Sequence, residues 1–95
     1  MRLVWENAAK ADKKEIRNYI KQRNADAADK LEVLFKEKAS QLLACPHMGR
    51  LGRLPGTREW VAHPHYILVY NLTPETVHIL RVLHTARRWP SGRRR

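Results

Sequence analysis

Three short runs of aliphatic, β-branched and aromatic residues fill the last third of the chain, from Thr57 to Pro90. The two breaks between these runs, His63-Pro64-His65 and Thr73-Pro74-Glu75-Thr76, each contain a proline. Proline cannot donate to a β-ladder, so the breaks are expected to lie between strands. The pattern therefore predicts a three-stranded antiparallel meander, with strands at about Thr57–Ala62, Tyr66–Leu72 and Val77–His84. So small a sheet needs a second layer of structure on one face.

The first half of the chain predicts that second layer. Two segments have helical patterns, one from Ala8 to Arg23 after an Asn7 cap and one from an Asp26 cap to Cys45. The second helix has the clearer inward stripe, because its apolar residues recur at three- and four-residue spacing. These residues are Ala28, Leu31, Phe35, Ala39 and Leu42.

The predicted fold class is α+β, with an N-terminal strand and a helical hairpin packed on a small antiparallel sheet. Arg2-Leu3-Val4-Trp5 is the apolar run that would add the N-terminal edge strand. Residues 1–90 are expected to form a single domain, and residues 91–95 a basic, disordered tail. His47 to Gly56 is predicted to be a loop because it contains glycines and Pro55.

Composition excludes several classes of protein. A single cysteine, Cys45, rules out an internal disulfide and a multi-cysteine zinc site, and it is typical of a reducing cytoplasm. No apolar run is long enough for a membrane span or a signal peptide, so we expect a cytoplasmic protein without a membrane partner. No spacing of the HExxH type is present, and we expect neither a metal site nor a cofactor.

The basic charge is unevenly distributed. The chain has 19 Lys and Arg against 9 acidic residues, a net charge of +10. All nine basic residues after position 45 are arginine, whose planar guanidinium matches phosphate and carboxylate groups. This segregation favours an anionic partner, either a nucleic acid or an acidic protein. The lysine-rich face of the first helix is interpreted more simply as solvated surface.

Five histidines in a small basic chain suggest RNA cleavage as one possible chemistry. That reaction needs a base for the 2′-hydroxyl proton, an acid for the 5′-oxygen and cations around the phosphorus. His63, His65 and His84 lie at predicted strand ends, and Arg58 and Arg87 are expected near them. Structural roles for these residues are the competing interpretation. The remaining candidates for nucleic-acid contact are Arg50, Arg53, Tyr66, Arg81, Arg88 and Trp89, whereas Tyr70 is expected in the core.

Several motifs resemble the RelE/ParE superfamily of bacterial toxins from type II toxin–antitoxin systems. They are Pro55-Gly56-Thr57-Arg58-Glu59, Ala62-His63-Pro64-His65-Tyr66 and Leu83-His84-Thr85-Ala86-Arg87-Arg88. The resemblance covers nearly the whole chain. It implies a toxin that is neutralised by a cognate antitoxin, which would be acidic, partly disordered and folded on contact. Operator DNA would be bound only through the antitoxin.

The superfamily has two branches, and the resemblance leaves both open. RelE-like members cut mRNA on the ribosome as endoribonucleases, and the carried-over residues are Arg58, Arg87 and Tyr66. ParE-like members poison DNA gyrase instead. Trp60 and Ile67 stand where the nuclease pattern has basic residues, and Trp89 stands near the position of a stacking tyrosine. Ribosome-dependent mRNA cleavage without a metal is the preferred hypothesis, and gyrase poisoning is the alternative.

Overall fold

The structure, a computed structural model, describes residues 1–86. The expectations for residues 87–95, including Arg87, Arg88, Trp89 and the basic tail, lie outside this range. The described part contains five strands and two helices. In chain order these are β1 (Arg2–Trp5), α1 (Asn7–Lys21), α2 (Ala25–Ala44), β2 (Arg50–Leu51), β3 (Arg58–His63), β4 (Tyr66–Thr73) and β5 (Thr76–His84).

The five strands form one sheet in the order β1-β5-β4-β3-β2. The predicted meander is present as β3, β4 and β5, paired antiparallel in sequence order. Strand β1 pairs with β5 in parallel, because the hairpin of α1 and α2 carries the chain away before the meander begins. The predicted α+β class is confirmed, with a parallel edge strand added to an otherwise antiparallel sheet.

The helical hairpin covers one face of the sheet and forms the core with it. The inward stripe predicted for α2 is buried throughout, and it packs against side chains from alternate positions of β4 and β5. From the sheet, Leu68, Tyr70 and Ile79 are fully buried in this core. Strand β4 is also buried on its other face, where Ile67 and Val69 are only 5% and 1% exposed.

Details at the element ends differ from the sequence prediction. The cap of α2 is Asn24, whose side chain accepts a hydrogen bond from the Ala27 amide at 3.0 Å, and not Asp26. Glu6, not Asn7, precedes the first turn of α1. Tyr19 of α1 is 56% exposed and lies under the Arg23 guanidinium. The segment predicted to be a loop contains β2, because Arg50 and Leu51 pair with Glu59 and Arg58.

Strand β1 ends at Trp5, opposite Ile79, so the outer edge of β5 continues beyond its neighbour. Beyond Ile79, the side chain of Asp12 from α1 contacts this edge of β5 where no neighbouring strand within residues 1–86 pairs with it. Its carboxylate accepts from the Val82 amide at 2.9 Å and from Nε and Nη2 of Arg81 at 2.7 and 3.0 Å. These contacts attach α1 to the part of β5 that leads to His84.

Tyr70 anchors the connection between α2 and β2 from inside the core. Its hydroxyl donates to the Pro46 carbonyl at 2.7 Å and accepts from the Gly49 amide at 3.0 Å. A Cβ at position 49 would stand 2.6 Å from this hydroxyl, so only glycine fits there. Burial raises the pKa of Tyr70, against the opposing effects of the Gly49 amide and Arg58.

Candidate functional site

Three histidines meet at one end of the sheet. Strand β3 ends at His63, β4 begins at Tyr66 and β5 ends at His84. The register pairs Tyr66 with both His63 and His84, and the short turn through Pro64 places His65 beside them. The sequence prediction that these histidines lie at strand ends therefore describes a real cluster, which we call the histidine cluster (His63, His65 and His84).

The rings of the histidine cluster contact one another and a buried tyrosine. His65 lies 5.4 Å from His63 and 5.7 Å from His84, and it is nearly parallel to His84. The Tyr66 ring contacts His63 and His84 at 5.7 and 5.2 Å and packs edge-on against Phe35 at 5.7 Å. Tyr66 is only 8% exposed, so its ring packs between the core and the histidines. It is therefore not placed to stack on a nucleic-acid base.

Backbone amides hold two of the three imidazoles. The amide of His65 donates to Nδ1 of His63, and the amide of Ala86 donates to Nδ1 of His84, each at 3.0 Å. Both bonds join residues two positions apart, so they arise from the turns that follow β3 and β5. An amide can only donate, and the accepting Nδ1 must therefore carry a lone pair.

Burial lowers the pKa of His63, and the neighbouring His65 lowers it further. The unfolded chain then binds a proton more readily than the folded one between the lowered pKa and about 6.5. We expect the free energy of unfolding to fall as the pH drops from about 7 to about 5. Comparing urea denaturation of the wild type with that of His63→Gln isolates this contribution, because glutamine does not titrate. A difference in stability that stays constant with pH would contradict the assignment.

Arg58 is not near the histidine cluster. It begins β3, whereas His63 ends it, and at about 3.3 Å per residue the two positions are roughly 17 Å apart. Its guanidinium donates to the backbone carbonyls of Gly49 and His47 at 2.8 and 3.3 Å. The expectation that Arg58 approaches the strand-end histidines is therefore wrong, because the two positions lie at opposite ends of β3.

The two loop arginines lie around a buried carboxylate. Glu59 is 3% exposed, and it accepts from Nη2 and Nε of Arg50 at 3.0 and 3.3 Å and from the Arg53 amide at 3.3 Å. The Arg50 side chain is nevertheless 64% exposed. Arg50 and Arg53 thus lie at the β2 edge of the sheet, near Arg58 and at a distance from the histidines.

Arg81, also predicted to contact nucleic acid, is engaged by Asp12, and the hydrogen bond to that carboxylate raises its pKa. Its first role is therefore to connect α1 with β5. The predicted site residues in the described range thus fall into two separate groups, the histidine cluster with Tyr66 at one end of the sheet and Arg50, Arg53 and Arg58 at the β2 edge. The proposed roles of Arg87, Arg88 and Trp89 stay predictions.

A groove lies between the two helices. It encloses about 230 Å³, and Phe35, which forms part of its floor, also touches Tyr66 beneath the imidazoles. We call it the hairpin groove; its lining residues are Lys10, Lys13, Lys14, Ile16, Arg17, Ala28, Leu31, Glu32 and Phe35. The lysine face of α1, interpreted from sequence as solvated surface, forms its rim. Only the packing of α1 on α2 reveals the groove.

The rim lysines differ in their surroundings. Lys13 has its ammonium 3.7 Å from the centre of the Trp5 ring, and burial lowers its pKa. Arg17 is paired with Asp29 and Glu32, both at 2.8 Å. Lys10 and Lys14 are exposed, which leaves them accessible to an anionic partner.

Within residues 1–86, no group of three His, Cys, Asp or Glu side chains is arranged to hold a metal ion. Neither helix of this part of the chain has the length and apolar character required to cross a membrane.

Comparisons with known proteins agree with this architecture. The family model described as ParE toxin of type II toxin-antitoxin system, parDE, matches residues 3–89. Toxin RelE2 of Caulobacter vibrioides is 38% identical over 85 residues, which cover 90% of this chain and 96% of the relative.

Two solved structures share the fold. The chromosomal ParDE system of P. aeruginosa matches with a TM-score of 0.79 at 23% identity, over 88% of this chain and 95% of the other. The E. coli DinJ-YafQ toxin-antitoxin complex matches with a TM-score of 0.50 at 20% identity, over 88% and 91% of the two chains.

Proposed function

This chain belongs to the ParE toxin family of type II toxin–antitoxin systems, and we propose that it blocks translation by cutting mRNA on the ribosome. The observation that carries this proposal is the histidine cluster at the exposed end of the sheet. RNA cleavage requires proton transfer near neutral pH, which imidazole performs better than any other side chain. The relationship to Toxin RelE2 is consistent with the same branch of the superfamily.

The proposed reaction is transesterification at one phosphodiester bond. An imidazole takes the proton of the 2′-hydroxyl, and the 2′-oxygen attacks phosphorus. The bond to the 5′-oxygen breaks, and that oxygen takes a proton as it leaves, so the products are a 2′,3′-cyclic phosphate and a 5′-hydroxyl. Nitrogen–hydrogen donors of the cluster stabilise the charge on the non-bridging oxygens. Arg87 follows His84 by three residues and is proposed to add positive charge.

Arg58 has a different role in this proposal. Its bonds to two loop carbonyls and its distance from His63 assign it to holding the connection between α2 and β2. The superfamily resemblance would place it at the reacting phosphate. We propose instead that the ribosome, and not Arg58, supplies further charge stabilisation at the cut site.

The cleavage assay uses a translation reaction with one labelled mRNA, and primer extension maps the cut ends. Wild-type toxin is expected to cut ribosome-bound mRNA and to leave free mRNA intact. Replacing His63, His65 and His84 together with alanine should reduce cleavage at least 100-fold, a typical effect of losing general acid–base catalysis. The matched control is His47→Ala, an exposed histidine outside the cluster, which should cut as the wild type does.

A second candidate function is poisoning of DNA gyrase. The observation that favours it is the backbone itself, which matches the ParDE structure at a TM-score of 0.79 and the DinJ-YafQ structure at only 0.50. Gyrase poisoning is also favoured by Trp60 and Ile67, which stand where nuclease members have basic residues. Intact mRNA in the cleavage assay, together with inhibition of gyrase supercoiling by the same protein, would establish this function and overturn the first.

We further propose that a cognate antitoxin neutralises the toxin by occupying the hairpin groove. The DinJ-YafQ structure is a complex of this type. In this chain, an apolar floor at Ile16, Leu31 and Phe35 is bordered by Lys10 and Lys14. An amphipathic acidic segment fits both features, because its apolar residues enter the groove while its carboxylates meet the lysines. Operator DNA is expected to contact the antitoxin and not this chain.

Charge reversal at the groove tests this placement. The double variant Lys10→Glu/Lys14→Glu is expected to weaken binding of the cognate antitoxin about 100-fold by isothermal titration calorimetry. The control Lys30→Glu/Lys36→Glu changes the net charge equally, but these exposed lysines of α2 do not line the groove. Equal weakening by both double variants would show that net charge, and not the groove, determines affinity.

A further inference from the structure

The three imidazoles of the histidine cluster are not equivalent. Nδ1 of His63 and Nδ1 of His84 each accept a backbone amide proton at 3.0 Å, as described above. A neutral imidazole has one protonated and one unprotonated nitrogen. With Nδ1 occupied as an acceptor, the proton of both rings must reside on Nε2. Both histidines are therefore fixed as the Nε2–H tautomer.

The same two amide hydrogen bonds require an unprotonated Nδ1. An imidazolium ion carries a proton on both nitrogens, so it cannot accept the amide and would leave that donor without its partner. Both rings are half-buried, and Nε2 is the nitrogen that the backbone turn does not engage. His63 and His84 can each donate one hydrogen bond without carrying charge.

His65 has different surroundings. It is exposed, and no backbone amide within the described residues donates to its ring. The titratable side chains packed against its ring are His63 at the end of β3 and His84 at the end of β5. Unlike Nδ1 of His63 and of His84, neither ring nitrogen of His65 accepts a backbone amide within the described residues, so both nitrogens are open to a ligand.

We propose that His63 and His84 bind the non-bridging oxygens of a phosphodiester as neutral Nε2–H donors, while His65 alone exchanges the proton during cleavage. The binding site follows from the two turns, whereas the role of His65 rests on the proposed ribonuclease function. His65 accepts the 2′-hydroxyl proton as the 2′-oxygen attacks phosphorus, and the leaving 5′-oxygen takes a proton from water.

The tautomers are tested by NMR without any activity. Long-range proton–nitrogen correlation spectra at pH 7.5 are expected to show Nε2–H and an unprotonated Nδ1 for His63 and His84. Titration with inorganic phosphate should shift the Nε2 signals of these two rings and leave those of His47 and His78 unchanged. An Nδ1–H tautomer or tautomer averaging at either position, or the absence of a phosphate-dependent shift, would overturn the proposed binding site.

The division of roles is tested by conservative variants in the ribosome assay. Glutamine places an amide N–H near the position of Nε2, so His63→Gln and His84→Gln should keep cleavage within about 10-fold of the wild type, with an unchanged pH profile. His63→Leu and His84→Leu lack the donor and should lose at least 10 times more activity than the glutamine variants. His65→Gln should abolish the pH-dependent cleavage, since an amide cannot take the proton.

The outcomes separate this inference from the proposed function. If the wild type leaves ribosome-bound mRNA intact while NMR shows the fixed tautomers and phosphate shifts, the phosphate site stands and the ribonuclease function fails. If the wild type cuts mRNA but His65→Gln keeps the same pH profile, the ribonuclease function stands and the role of His65 is wrong.

Discussion

Replacing Phe35 with alanine is expected to lower the free energy of unfolding by about 4 kcal/mol, because a large core side chain is lost and a cavity remains. Phe35 is only 2% exposed and packs against Tyr66. The Tyr66 ring in turn contacts the rings of His63 and His84. Folded proteins are stable by only about 5–15 kcal/mol, so the variant would retain little stability. Urea denaturation followed by circular dichroism measures the change.

Two further variants calibrate this result. Phe35→Leu keeps most of the volume and should cost less than about 1.5 kcal/mol. Val33→Ala lies on the same helix but is 57% exposed, and its effect should stay within about 0.5 kcal/mol. If Phe35→Ala cost no more than Val33→Ala, the packing of α2 beneath the histidine cluster would be incorrect. In Phe35→Leu, the side-chain NMR signals of His63 and His84 should move, since their support has changed.

The variant Asp12→Ala is expected to cost about 3 kcal/mol of unfolding free energy. It removes the acceptor of three hydrogen bonds, two from Arg81 and one from the Val82 amide, and the buried Val82 amide then loses this acceptor. The Asp12 side chain is only 16% exposed, so solvent compensates little. Hydrogen exchange should also show faster exchange of the Val82 amide, because the edge of β5 is no longer covered.

Asp29→Ala provides the matched control for this prediction. It also removes an aspartate paired with an arginine, but this side chain is 64% exposed. Exposed ion pairs contribute at most about 1 kcal/mol, and Arg17 keeps its second partner, Glu32. Comparable losses in the two variants, or an unchanged exchange rate at Val82, would show that Asp12 does not attach α1 to the sheet.

The elements of this fold follow from local patterns in the sequence. Prolines at positions 64 and 74 separate the strands, and alternation along each strand identifies the side that meets the helices. The stripe of α2 is likewise a local property, since positions three and four apart share one helix face. The same local reasoning placed His63, His65 and His84 at strand ends. The predicted superfamily is confirmed by the family match over residues 3–89.

Element ends were predicted less well, and the reason is physical. Asn24 and Asp26 are both good capping residues, and the choice between them depends on where the chain turns after α1. Strand β2 has only two residues, and it forms because Glu59 and Tyr70 hold the preceding loop beside β3. Neither contact has a signal in the sequence around residue 50.

The sequence by itself determined the fold class, the superfamily, the buried stripe of α2 and the presence of histidines at strand ends. The tertiary structure decided which of the candidate residues meet. The length of β3 separates Arg58 from the histidines, Asp12 engages Arg81 from a distant helix, and two turns bring backbone amides to Nδ1 of His63 and of His84. These arrangements depend on strand register and on how helices pack. Both are contacts between residues far apart in the chain, which local periodicity does not encode.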